Sequence, residues 1–221
     1  MAPSIAAADE TPRARRTPRP LHRLADPVAL ARERQALIDA ALELLRDEDT
    51  LDLPVGAIVE RAGQHREAFY RIFGSKAGLL FAVLQEVVQR TVDALDLHLA
   101  QATSTADAVH TWAEVLLKRA ASPRAAAAAR PFALERHHIL DQFADAEEAL
   151  DRPMRLRLAR ILQAAGLPDA DQLAAGAYEL VMSRQATWIA TRHRPTPTEI
   201  DQYAAMVVRL VGASQSGGQS R

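Results

Sequence analysis

The stretch from Arg61 to Leu80, RAGQHREAFYRIFGSKAGLL, constrains this 221-residue chain more than any other. A short helix ends at Ala62-Gly63, a tight turn follows, and a second short helix carries Phe69, Tyr70 and Phe73. Gly63 suits the left-handed position of a helix-turn-helix, because without a Cβ it takes positive φ cheaply. Phe69 and Phe73 lie four apart, share one face and anchor the second helix to a core. The opposite face then offers His65, Arg66, Glu67, Ala68 and Tyr70 to a partner. Gly74-Ser75-Lys76 starts a third helix. This is the layout of a helix presented to a DNA groove.

Around it, helical periodicity dominates. A helix is expected over 29–46, with Ile38, Ala41, Leu42 and Leu45 forming one apolar stripe. The acids Asp47, Glu48, Asp49 and Asp52 read as a solvated connection. Pro54 fits the first position of the next helix, whose buried face is Val55, Ile58, Val59 and Ala62. A long helix runs from Lys76 to about residue 100. Further helices are expected over 106–121, 125–143, 146–165, 170–193 and 198–211, punctuated by Pro123, Gly166, Pro168, Pro195 and Pro197. With no strand pattern and no internal repeat, the fold is read as all-α. It divides into an arm over 1–27, a three-helix helix-turn-helix unit over 28–78, a larger helical unit over 79–213 and a disordered tail over 214–221.

At these residues the chain resembles the tetracycline-repressor (TetR/AcrR) family of bacterial transcription regulators. The matching pieces are Ile58-Val59-Glu60-Arg61-Ala62-Gly63, Tyr70-Arg71-Ile72-Phe73 and Ser75-Lys76-Ala77-Gly78-Leu79-Leu80. Together they make a specific pattern, although a single element such as Ala-Gly carries little. The resemblance implies base-facing roles for Gln64, His65, Arg66 and Ala68, since Arg can donate two bonds to guanine and Ala can pack on a thymine methyl. It implies phosphate contacts for Tyr70, Arg71 and Lys76. The alternative for each is a solvated helix surface. The chain also departs from the family: Leu53-Pro54 stand where a hydroxyl residue is usual, His65 replaces the usual Ser or Thr cap, Glu67 replaces a small residue and Ile72 a polar one. Glu67 would repel phosphate unless it accepts from cytosine or pairs with Arg71.

The resemblance further implies a homodimeric regulator on a double-stranded DNA operator, a repressor released by a small-molecule effector. An activator, or an effector-independent regulator of the same fold, stays open, as does an all-α binding protein or enzyme. The last two helices read as a dimerisation pair through Leu173, Ala177, Val181 and Trp188 on one and Ala204, Val207 and Val211 on the other, or else as plain intrachain core. Effector contacts are sought among Trp112, Phe132, His137, Phe143, Tyr178 and Met182. Aromatics at helical spacing also serve as ordinary core.

Charge and chemistry narrow the rest. The formal net charge is −1, so overall charge carries no nucleic-acid signal. From Arg32 to Leu80 there are seven basic residues against nine acidic, a low balance for a DNA-binding unit. Five arginines (Arg13, Arg15, Arg16, Arg19, Arg23) fall between Thr11 and Ala25 without an acid. That arm either follows DNA phosphates or is a solvated tail. Cysteine is absent, which excludes disulfides and thiolate chemistry. Glu135, His137, His138 and Asp141 are the one local group with metal-ligand types, and such mixtures on one helix often arise by chance. No catalytic signature, cofactor motif or membrane-length apolar run is present in the sequence. The expected protein is not an enzyme, binds no metal or cofactor, and is soluble and cytoplasmic.

Overall fold

The computed structural model describes residues 26–140 and 146–216, with side chains over 26–135 and 148–212. Among the described residues the chain is all-α. In order the helices are α1 (Pro27–Glu48), α2 (Val55–Arg61), α3 (Arg66–Phe73), α4 (Lys76–Leu99), α5 (Thr105–Ala121), α6 (Pro123–Leu140), α7 (Ala146–Ala164), α8 (Ala170–Ala190) and α9 (Pro197–Ser216). Residues 1–25 of the arm and the tail after 216 lie outside the described residues, while residues 26 and 27 cap and begin α1 and 214–216 end α9.

Local chemistry sets most of the helix starts. Asp26 caps α1 by accepting from the Val28 N–H at 3.0 Å, with Pro27 at the first position. Ser75 caps α4 through Gly78 N–H and Ser104 caps α5 through Asp107 N–H. Pro54 is itself the N-cap residue of α2, one position before the expected role. Pro131 and Pro153 sit inside α6 and α7 without ending them.

Two apolar cores result. The first gathers Leu37, Ile38, Leu45, Leu53, Ile58, Phe69, Leu79 and Val83 from the helix-turn-helix and the start of α4, and it takes in Ala128 and Phe132 from α6. The second joins α5, α7, α8 and α9 around Trp112, Leu116, Leu158, Val181 and Val207. Thus α6 belongs to the N-terminal core as well as to the C-terminal bundle, against which it packs along α8.

Two expectations are corrected here and one is extended. The acidic run is solvated as expected, with Asp47, Glu48 and Asp52 exposed, and it is paired as well: Asp47 binds Arg61, Asp52 binds Lys76, and Asp49 binds both Arg130 and Arg192. The proposed dimer residues Val181 and Val207 have no exposure, as has Ala204, and Val211, Trp188 and Ala177 are buried within the same chain. They are intrachain core, because α9 lays this face on α5; Leu173 keeps partial exposure. Ala68, expected to face bases, is 8% exposed and faces inward.

Candidate DNA-binding surface and effector cavity

The turn before α3 works as the sequence suggested. Gly63 has φ 62°, and its N–H donates to Glu60 O while Gln64 N–H donates to Val59 O. The turn therefore closes α2 with its last carbonyls satisfied and redirects the chain into α3. Phe69 is fully buried and packs edge-on against Tyr70, with ring centroids 5.2 Å apart, and against Phe73 at 5.9 Å. That anchor fixes the rotation of α3 about its axis. His65, Arg66, Glu67, Tyr70 and Arg71 consequently point outward, and Gln64 is half-buried at the turn. Tyr70 is 51% exposed, high for a ring of its size.

Gly78 holds the next junction. A Cβ placed there would lie 2.2 Å from the Phe73 carbonyl oxygen, a distance no side chain tolerates. The backbone of α4 can approach the end of α3 this closely only because that position is glycine. This seats Lys76 beside the presented face. Arg66 extends toward the first turn of α2, where a Cβ on Gly56 would meet its guanidinium at 3.3 Å.

Without DNA, the phosphate-contact candidates carry internal partners. Arg71 pairs with Glu33 of α1, not with Glu67, and Lys76 pairs with Asp52. The Lys76 ammonium holds the Asp52 carboxyl below the usual carboxylate range. Exposed pairs of this kind contribute little to stability, so a phosphate can displace the carboxylates at little cost. His65 precedes α3 without a side-chain capping bond, which leaves the first N–H groups of that helix available to an anion.

A second site lies between the two cores. A cavity of about 470 Å³ is walled by α1, α4, α5, α6, α7 and α8. Its apolar wall includes Leu84, Val87, Leu116, Phe132, Met154 and Ile189. Of the expected effector residues, Phe132, Tyr178 and Met182 line it. Trp112 does not. Its ring is fully buried, its indole N–H donates to Met154 O at 3.0 Å, and it supports Tyr178 from behind with ring centroids 6.5 Å apart. The His137 side chain and all of Phe143 fall outside the described residues, as do the side chains of His138 and Asp141. No group of potential metal ligands forms among the described residues.

Polar groups missed in the sequence also wall this cavity: Arg46, Arg119, Asp151 and Gln185. Tyr178 donates to Asp151 Oδ1 at 2.8 Å, and the Gln185 amide donates to Leu116 O. Arg119 donates to Thr91 Oγ1 at 2.7 Å, while the Thr91 hydroxyl donates to Val87 O. Burial holds the Arg119 guanidinium below the ordinary arginine value, with the Tyr178 oxygen opposing that shift. Burial also lowers Arg46, helped by the charge of Arg124. No periodicity argument could separate these arginines from the many at the surface.

Comparison with known proteins agrees with this geometry. Residues 37–83, which span the end of α1 to the first half of α4, match the family model for bacterial regulatory proteins of the tetR family. No curated protein matches the chain. Among solved structures, a protein of Mesorhizobium loti assigned to the tetR-family transcriptional regulators superposes with a TM-score of 0.67 at 17% identity, covering 83% of this chain and 96% of that one. The transcriptional regulator FadR of Bacillus subtilis, in complex with stearoyl-CoA, gives 0.63 at 12% identity, covering 81% and 98%. RolR in complex with resorcinol gives 0.57 at 18% identity, covering 89% and 97%. At these identities the structural likeness establishes the shared fold. No single helix among the described residues is long and apolar enough to cross a membrane.

Proposed function

We propose that this chain, which carries the tetR-family N-terminal domain on the fold of tetR-family regulators, is a homodimeric repressor released from a palindromic operator by a small molecule. The observation that carries the reading is the two-sided construction of α3. Phe69 and Ala68 hold its back in the core, while His65, Arg66, Tyr70 and Arg71 stand exposed on the other side. Arg66 reads a base edge, with His65 and Gln64 beside it at the start of the helix. Tyr70, Arg71 and Lys76 grip phosphates and set the register.

The dimer is formed by the outer faces of α8 and α9, not by their buried ones. Gly176, Leu180, Ser183 and Thr187 lie on one strip of α8, and Tyr203, Met206 and Leu210 lie on one strip of α9. The Tyr203 hydroxyl donates to Leu180 O at 3.4 Å, which sets the two strips side by side. Leu210 is 53% exposed in the single chain. Isologous packing of this pair builds a four-helix interface about a twofold axis.

The cavity supplies the switch. Its wall contains Leu42, Leu84, Val87, Ala128 and Phe132, which also belong to or pack on the core of the DNA-binding unit. A ligand there presses on side chains shared by both units. It shifts DNA affinity only if it binds the two arrangements with different free energy. The test is genomic footprinting of the full chain, then salt-dependent binding to the recovered duplex. Twofold-symmetric sites bound by a dimer are expected, and binding without sequence preference would overturn the reading.

A further inference from the structure

Arg119 lines the cavity half-buried between helices, and among the described residues the protein gives it little in return. Its guanidinium presents a planar fork of N–H donors, of which Thr91 Oγ1 takes one at 2.7 Å. Thr91 cannot neutralise the charge, and its own hydrogen is committed to Val87 O at 2.8 Å. Among the described residues no carboxylate forms an ion pair with Arg119. Asp151, the one carboxylate among the described lining residues, is engaged by the Tyr178 hydroxyl. A half-buried cation without a counterion is left short of acceptors, and an anion entering the cavity can pair with it.

The rest of the cavity tells what that something looks like. The cavity that Arg119 lines is walled with hydrocarbon from Val87, Leu116, Met154, Met182 and Ile189. On the α1, α4 and α6 side stand Arg46, Arg90 and Arg124, and the Arg46 Nε is itself buried without an acceptor. Four arginines thus stand beside one aspartate among the described lining residues; Arg90 is paired with Glu86 and Asp39, so Arg46, Arg119 and Arg124 carry the local positive charge. Such a field favours anions over cations. A volume of about 470 Å³ holds a drug-sized organic molecule, for which ~300–1,000 Å³ is usual.

We propose that the cavity binds an amphipathic organic carboxylate, its head paired with the Arg119 guanidinium and its apolar body against Val87, Leu116, Met154 and Met182. The inference rests on the regulator reading for its biological use, but the binding chemistry does not depend on DNA. A planar carboxylate accepts two parallel N–H bonds from the fork of Arg119, replacing the missing counterion. The head is desolvated with its partner, so the pair is screened little by salt.

The experiment uses the full chain and two probe pairs of matched shape: decanoate with 1-decanol, and 4-phenylbutanoate with 4-phenyl-1-butanol. Calorimetry should show at least one carboxylate binding about tenfold or more tighter than its alcohol, as expected for charge-assisted bonds. Arg119→Met should erase that preference while leaving alcohol binding in place. It should also leave the unliganded protein as stable or raise its melting temperature, since it removes a half-buried charge that has no counterion among the described residues. A cation serving only the fold would instead lower the melting temperature on substitution. Arg119→Lys, which keeps charge but loses the planar fork, should retain part of the preference. Equal affinity for acid and alcohol, binding of neither pair, or an unchanged preference in Arg119→Met would overturn the proposal. Duplex binding is measured on the same preparations: its presence with no carboxylate preference sinks this inference alone, whereas its absence sinks the regulator reading and leaves the carboxylate result standing.

Discussion

Asp49 and Arg192, 143 residues apart in the chain, meet at 2.9 Å between the end of α1 and the end of α8. The same carboxylate accepts from Arg130 of α6, which also donates to Ala190 O. Asp49 occupies the left-handed C-cap position of α1, with φ 53°. One side chain thereby ties the helix-turn-helix unit to α6 and to the end of α8, two of the helices that wall the cavity.

That tie has a pH signature. Hydrogen bonding from Arg130, with Arg192 adding to it, holds the Asp49 carboxyl below the usual carboxylate value. A group whose folded pKa is depressed stabilises the fold above its unfolded pKa, about 3.9, and loses that contribution as pH falls through the folded value. Asp49→Asn should therefore cost on the order of 1 kcal/mol at neutral pH, the scale of partly exposed pairs. Chemical denaturation at pH 7 and again below pH 3 checks this, and the gap between variant and parent should close in acid.

DNA binding should separate base reading from phosphate gripping. Arg66→Ala is expected to change sequence preference by about 1–3 kcal/mol. Lys76→Ala should weaken all duplexes to a similar degree and reduce the slope of affinity against salt by about one contact. Titrations on two duplexes at several salt concentrations distinguish these, and equal loss of specificity from both changes would show that the division of roles is wrong.

The α3–α4 junction should not tolerate a methyl group. Gly78→Ala places a Cβ against the Phe73 carbonyl oxygen, where the gap is 2.2 Å. Relief requires moving backbone, and a cost of about 1–3 kcal/mol follows by analogy with overpacked sites. Thermal melting should fall, and hydrogen exchange in residues 66–80 should speed up more than in α8 or α9.

Assembly should respond to the outer face of α9 and not to the inner one. Val207 is fully buried, so Val207→Asp introduces an unpaired carboxylate into the chain's own core at several kcal/mol and lowers folding stability. Leu210, 53% exposed, tolerates Asp in the single chain. Leu210→Asp should keep its helical circular dichroism while light scattering reports monomers and affinity for the operator drops. A folded Leu210→Asp dimer with unaltered operator binding would place the interface elsewhere.

The helix-turn-helix was legible because its signals are local. Gly63 must supply the positive φ within a few residues of Phe69 and Phe73, and Ser75 caps the helix that immediately follows it. Helical periodicity likewise marked which side of α8 and α9 is apolar. It could not say what that side packs against, since burial in one's own chain and burial across a twofold axis select the same residues. The tertiary structure decided it, because α5 already covers Val207 and Ala204. The acidic run carried no local sign of its partners, which lie as far as 143 residues away. Nor did Arg119 stand out in a chain rich in arginine. Only the packing of the cavity helices around it sets that one guanidinium, half-buried and desolvated, against an apolar cavity wall, because desolvation is a property of what surrounds a group and not of the group itself.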